Sequence, residues 1–270
     1  NKKIKKVFIA EKDPDPRTFN KTVEKLKKNN IRVDQSVCSI ESKKFYKSYF
    51  LSKKEKLPFV TAKLAVSKDF YTINKKKRWI TNEFSRARSH LLRSKHDCII
   101  TSSKTIKKDD SNLTCRISGL EKYSPARVIL DKNLLISHKS NIIKTANRYK
   151  TILFYNKINL KKLNILKKFK IKTIKISLNN SGKIILKDVL FILKKMGFSR
   201  ILLESGTNLV NSFLKDRLIN DFYLFISNNK LNKNGRNSFK KSIKFFFKNK
   251  KNITEKVNLL GDKLSIYRLK

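Results

Sequence analysis

Acidic side chains are the first scarcity: 20 Asp and Glu stand against 66 Lys and Arg, a formal net charge of +46 over 270 residues. Such a field draws anions, which admits either nucleic acid or a phosphorylated small molecule as partner. Glycine (6), proline (4) and tryptophan (1) are also few, while Lys, Asn, Ile and Phe abound. AT-rich codons produce that bias on every surface, and the lysines are spread along the chain, with no basic arm. No nucleic-acid-binding module accompanies them, so the charge reads as compositional.

Three cysteines, Cys38, Cys98 and Cys115, with no C-x-x-C pair exclude a zinc ribbon or a disulfide framework and fit a reducing cytoplasm. The three histidines, His90, His96 and His138, lack metal-ligand spacing. No metal and no His-based triad is assigned, and each histidine reads as a surface or packing residue. No apolar run approaches the ~20 residues that a membrane span needs, and no signal peptide opens the chain. Its first residue is Asn1 and not Met, so it reads as a fragment or a processed product.

What is present is enough hydrophobic sequence, 39%, for one large α/β domain and a smaller piece. Residues 4–10 predict a strand and Asp13-Pro14-Asp15-Pro16 a turn. Residues 18–29 predict a helix with Val23 and Leu26 on one face, and Ile31-Arg32-Val33 a second strand. Residues 40–54 predict a helix whose apolar face is Phe45, Tyr46, Tyr49 and Phe50. A polar break at Lys53-Lys54-Glu55-Lys56 and Pro58 marks a domain boundary, giving segments 1–55 and 56–270.

Beyond it, Phe59 to Val66 reads as a buried strand interrupted by Lys63. Residues 82–95 form a helix opened by Asn82, and Cys98 to Thr101 a strand running into Ser102-Ser103-Lys104-Thr105. Ala126 to Leu130, Thr151 to Tyr155 and Ile171 to Ile176 are further strands. A helix at 186–197 leads to the strand Arg200 to Glu204, which breaks at Ser205-Gly206 before a helix from Thr207 to Leu218. Phe222 to Ile226 and Lys263 to Leu269 close the set, with 228–252 a polar loop. Alternating strands and helices predict a mostly parallel sheet covered on both faces.

Three features could carry chemistry. A glycine in the turn Glu204-Ser205-Gly206-Thr207 lets a ligand approach backbone, and the helix that follows presents free N–H groups suited to phosphate; the same glycine also suits plain turn geometry. Hydroxyls at Thr101-Ser102-Ser103-Lys104-Thr105, followed by Asp109-Asp110, lie where α/β sheets bind ligands, or form a capped turn with solvated acids. Lys63, inside an apolar strand, must reach solvent at the strand end or meet a ligand or partner.

The ordered strings Lys63-Leu64-Ala65-Val66-Ser67-Lys68-Asp69, Trp79-Ile80-Thr81, Leu91-Leu92-Arg93, Thr101-Ser102-Ser103 with Thr105 and Asp109-Asp110, Leu113-Thr114 with Arg116, and Glu204-Ser205-Gly206 resemble a known family. It is the bifunctional riboflavin-biosynthesis deaminase–reductase family, and the resemblance runs from about Pro58 to the C-terminus. The stretch through Asp13-Pro14-Asp15-Pro16 and Lys27 to Val33 looks like the end of that family's cytidine-deaminase-like domain.

The resemblance implies a dihydrofolate-reductase-like sheet, preceded by a small α/β remnant, and NADPH as hydride donor. It implies reduction of 5-amino-6-(5-phosphoribosylamino)uracil to the ribitylamino product, and a homodimer or higher homo-oligomer. Carried over by position, Ala65, Trp79, Thr105, Asp109, Gly206, Thr207, Asn208, Leu209, Val210, Asn211 and Ser212 are cofactor-binding candidates. Arg93, Leu113, Arg116 and Glu204 are substrate-binding candidates, the two arginines as partners for a phosphate. Lys63 is the candidate for a catalytic role.

This chain departs from the family at Phe70 (usually glycine), Lys77 (serine), Ser111 (proline) and Lys132 (small and polar), and between Ser227 and Gly235, where a glycine-containing loop is degraded. The H-x-E and P-C-x-x-C pattern of zinc deaminases is absent from the sequence. Deamination by this chain is therefore not expected, and zinc would belong to the missing part of that domain. The alternatives to an active reductase are an inactive remnant and a basic nucleic-acid-binding protein on the same fold.

Overall fold

A computed structural model describes residues 4–15, 17–18 and 21–270. It divides into two compact units, Asn1–Phe59 and Val60–Lys270. Pro16, which ends the expected turn, and residues 19 and 20 of the expected first helix lie outside the described residues.

The first unit runs β1 (Lys6–Ile9), α1 (Lys21–Lys28), β2 (Arg32–Gln35) and α2 (Ser39–Glu55). β1 and β2 pair in parallel, Lys6 opposite Arg32 and Ile9 opposite Gln35, the direction that a crossover through α1 requires. The aromatic face expected to bury α2 is not buried: Phe45 is 80% exposed, and Tyr46 and Tyr49 are also exposed. These rings pack on one another instead, Phe45 on Tyr46 at 5.0 Å and Tyr49 on Phe50 at 6.0 Å. Helical periodicity places residues on a common face, but a sheet of two strands offers little surface to cover it.

The second unit carries β3 (Phe59–Val66), which starts at the junction, β4 (Tyr71–Asn74), α3 (Glu83–Ser94), β5 (Cys98–Ser102), α4 (Ser103–Asp109), β6 (Ala126–Leu130), α5 (Asn141–Lys144) and β7 (Thr151–Tyr155). It continues through α6 (Leu160–Lys168), β8 (Lys172–Lys175), α7 (Leu186–Lys195), β9 (Arg200–Glu204), α8 (Thr207–Lys215), β10 (Asp221–Ile226), β11 (Gly235–Ser238), α9 (Lys240–Phe246), β12 (Asn252–Thr254) and β13 (Lys263–Arg268).

One sheet orders its strands β12-β13-β10-β3-β9-β5-β6-β7-β8. The pairs β10–β3, β5–β9, β5–β6, β6–β7 and β7–β8 are parallel, and β13 is antiparallel to both β10 and β12. Every residue of β6 is buried, so both of its faces are covered, as expected of a parallel sheet between helices. One face packs Ile99, Ile129, Leu153, Leu202 and Phe225 with Leu92 of α3, Ile106 of α4, Ile142 of α5 and Leu166 of α6. α7 and α8 bury Val189, Leu193, Val210 and Phe213 on the other side.

Residues 228–252 are not the loop that their polarity suggests. They contain β11 and α9, and Phe239 and Phe247 are buried. Both rings lie on Phe222 of β10, at 5.8 and 4.9 Å. Two buried aromatics anchor a segment whose lysines all stay exposed. β11 pairs antiparallel with β4, Gly235 opposite Asn74. The β3–β4 turn before it is tied down by Asp69, which accepts from the backbone N–H groups of Leu231 and Asn232 at 3.0 and 2.8 Å. Phe70 in that turn has a left-handed φ of 66°, a conformation that glycine adopts without strain.

Candidate active site

The strand order reverses between β9 and β5. The chain leaves β5 for α4 and then β6, but reaches β9 from the far side and continues toward β10. A crevice opens beyond the carboxyl ends of strands at such a point. Here it becomes a cavity of about 880 Å³, lined by β3, β4, α3, α4, the β9–α8 turn and Asn237 of β11.

Three short-range devices set its walls. Asn82 caps α3 by accepting from the Ser85 N–H at 3.0 Å, which turns Arg86, Ser89, His90 and Arg93 along one face toward the cavity. Ser102 caps α4 by accepting from the Thr105 N–H. The Thr105 hydroxyl then lies 2.9 Å from the Ser205 Oγ and accepts from the Gly206 N–H at 3.2 Å. Thr105 thus fastens the ends of β5 and β9 together. Gly206 precedes α8 with φ −68° and no side-chain cap, so the first N–H groups of α8 face the cavity without a side-chain partner.

A buried ion-pair cluster forms the inner wall. Arg93 donates through Nε and Nη2 to the two Glu204 carboxylate oxygens at 2.9 and 2.7 Å, and through Nη1 to the Thr114 carbonyl at 3.0 Å. Lys63 Nζ stands 3.9 Å from Glu204 Oε1 and 5.6 Å from the Phe225 ring centre. Of the two alternatives for Lys63, escape to solvent or a partner, the structure shows the partner: the neighbouring strand supplies a carboxylate. Burial alone would raise Glu204, but Arg93 and Lys63 outweigh it and hold the carboxyl well below the usual range. Burial lowers Lys63, against the pull of Glu204.

Asp109 ends α4 at the cavity wall, and burial raises its carboxyl despite Lys108 and Arg78 nearby. Asp109 and Asp110 both remain exposed, as the reading of solvated acids expects. Trp79 is half exposed between Arg78 and Arg86, whose guanidinium carbons lie 5.0 and 5.1 Å from its ring centre. Leu113 is buried with a left-handed φ of 54°.

The cavity collects most of the residues expected at a site. Lys63, Ala65, Trp79, Arg93, Thr105, Asp109, Leu113, Arg116, Glu204, Gly206, Thr207, Asn208 and Leu209 all line it. Val210, Asn211 and Ser212 do not: Val210 is wholly buried in the core, and Ser212 donates back to the Asn208 carbonyl at 3.1 Å. The helical turn of α8 carries these three away from its N-terminus. Lys77 and Ser111 line the cavity, whereas Lys132 donates to the Gly182 carbonyl at 3.0 Å. His90 lines the cavity too, with Nδ1 3.0 Å from the Thr114 carbonyl; its three-residue spacing from Arg93 puts both on one helix face.

A doubly covered parallel sheet with a cationic crevice at its strand-order reversal defines an α/β ligand-binding domain of the enzyme type. The sequence profile of the RibD C-terminal domain matches residues 58–243, and the chain belongs to that family. The riboflavin biosynthesis protein RibD of Aquifex aeolicus is 31% identical over 226 residues, covering 83% of this chain and 61% of that protein. That of Buchnera aphidicola subsp. Baizongia pistaciae is 34% identical over 240 residues, covering 83% and 62%. The chain thus spans about three fifths of the length of these relatives.

Among solved structures, RibD of Acinetobacter baumannii superposes with a TM-score of 0.81 at 22% identity, over 98% of this chain and 72% of that one. A deaminase/reductase of Thermotoga maritima gives 0.79 at 24%, over 98% and 71%. Both show a shared fold. Among the described residues, no helix is long and apolar enough to cross a membrane.

Proposed function

We propose that the second unit is a reductase that converts 5-amino-6-(5-phosphoribosylamino)uracil to its ribitylamino product with NADPH. The observation that carries this reading is one cavity joining an uncapped helix N-terminus at Gly206–Thr207 to the Arg93–Glu204–Arg116 wall. The first suits a dinucleotide's phosphates, the second a polar, anionic substrate. Membership of the RibD C-terminal domain family supports the same reading.

The residues present fit a nicotinamide cofactor. Gly206, Thr207, Asn208 and Leu209 would hold its phosphates, Thr105 and Asp109 would lie along it, and Ala65 and Trp79 would pack on its rings. When bound, the reduced nicotinamide supplies the hydride for the sugar carbon bonded to the amine. The protein's own work is orientation. Glu204, kept ionised by Arg93 and Lys63, accepts hydrogen bonds from substrate N–H or O–H groups. Arg116 meets the phosphate. Asp109, on the cavity wall, would accept hydrogen bonds from the bound cofactor. Val210, Asn211 and Ser212 would shape α8 without touching ligand.

The first unit we assign, with the segment 1–55, to the tail of a deaminase-like domain, and 56–270 to the reductase. We assign the work of this chain to the cytoplasm, where substrate and cofactor would meet it, as a homodimer or higher homo-oligomer.

The test mixes purified chain, NADPH and the deaminated phosphoribosylamino-pyrimidine and follows nicotinamide absorbance, with a no-substrate blank. Substrate-dependent NADPH loss is expected. A folded protein without turnover would overturn the reductase and leave the inactive remnant or the basic binding protein.

A further inference from the structure

Arg93 and Arg116 share the substrate-facing wall, but only one has donors to spare. Arg93 is buried, and its guanidinium is engaged by both Glu204 oxygens and the Thr114 carbonyl. Arg116 is exposed to the cavity, and its side-chain contact is His90: Arg116 Nη2 lies 3.3 Å from His90 Nε2. The His90 ring also has its Nδ1 at 3.1 Å from the Arg116 N–H, 3.0 Å from the Thr114 carbonyl and 3.4 Å from Arg93 Nη1.

An imidazole so placed can serve Arg116 only when neutral. The Arg116 backbone N–H donates to Nδ1 at 3.1 Å and Arg93 Nη1 lies 3.4 Å from the same nitrogen, so an unprotonated Nδ1 is the acceptor that fixes the Arg116 main chain. A second proton, on Nδ1, would set an N–H against both of those donors. The groups facing His90, namely Arg93, Arg116, Glu204 and the Thr114 carbonyl, favour the neutral form on balance, and burial together with the two arginines lowers its pKa to about 4.

We infer that His90 is a positioning residue that, by accepting the Arg116 backbone N–H, holds Arg116 in place for the anionic group of a phosphorylated sugar ligand, while Arg93 serves Glu204. This division of labour rests on the reductase reading for the identity of the substrate, and on the geometry alone for the anion.

The test uses the full chain and ribose 5-phosphate as probe, with affinity measured by calorimetry and melting temperature recorded for each variant. Arg116→Ala and His90→Ala should each weaken binding about tenfold, and the double variant should bind no worse than Arg116→Ala alone. His90→Gln, which keeps an acceptor, should recover part of the loss. In turnover, His90→Ala should raise KM for the phosphorylated substrate more than it lowers kcat. Additive losses in the double variant, unchanged binding in His90→Ala, or no binding by the unaltered chain would overturn the inference. If the unaltered chain binds the probe but oxidises no NADPH, the reductase reading fails and this inference stands.

Discussion

Arg93 and Glu204 lie 111 positions apart in the chain and meet through two hydrogen bonds of 2.9 and 2.7 Å. α3 supplies one and the end of β9 the other, so a fork-to-carboxylate pair closes the inner wall of the cavity. With Lys63 on the neighbouring strand β3, the cluster holds two cations and one carboxylate in a buried place.

Removing one partner of such a pair leaves an uncompensated charge. Arg93→Ala should lose about 3–5 kcal/mol of stability in urea unfolding. Arg93→Lys keeps the charge but not the fork and should fall between that variant and the original. A stability equal to the original in Arg93→Ala would mean that the pair contributes nothing.

Gly206 separates ligand approach from fold. Its φ of −68° suits any residue, and an added Cβ would meet only the Thr105 Oγ1 at 3.8 Å. Gly206→Ala should therefore melt with the original protein but raise KM for NADPH about tenfold, a change of about 1.4 kcal/mol. An unaltered KM would place the cofactor's phosphates elsewhere.

Gly235 is the opposite case. A Cβ there would overlap the Tyr71 ring across the β4–β11 pair. Gly235→Ala should cost about 1–3 kcal/mol through overpacking and weaken substrate binding, since Thr72 and Asn237 of the same pair line the cavity. Adding Tyr71→Ala should restore stability. Thermal melts of the single and double variants decide it; equal melting of Gly235→Ala and the original would refute the overlap.

His96 predicts acid sensitivity. Burial lowers its pKa to about 4, against the hydrogen bond from its Nδ1 to the Leu92 carbonyl at 2.6 Å. An unfolded histidine titrates near 6.5, so the unfolded chain takes up the proton first as pH falls. The contribution of neutral His96 is present above about pH 6.5 and is lost as pH falls through the folded pKa near 4. Urea midpoints at pH 7, 5.5 and 4.5 should decline, and His96→Gln should flatten the slope. Parallel slopes would assign the acid loss to other groups.

The sequence by itself determined the elements whose signal is local. Runs such as Phe59 to Val66 and Ala126 to Leu130 are buried on both faces, so nearly every residue reads apolar. The Glu204-Ser205-Gly206 turn and the Asn82 and Ser102 caps are likewise written in adjacent residues, whereas Trp79, Arg93, Leu113 and Arg116 entered as candidates only through the resemblance to the deaminase–reductase family. Tertiary structure alone decided the rest. α9 is hidden in lysine-rich sequence because only Phe239 and Phe247 are needed to hold it, and their partner Phe222 lies on another element. Val210 belongs to the core and Leu209 to the cavity through one step of helical rotation. The meeting of Lys63, Arg93, Glu204 and His90 follows from strand order and from a helix set across the sheet. Periodicity and turn chemistry reach a few residues along the chain, whereas charges 111 positions apart are paired only by topology.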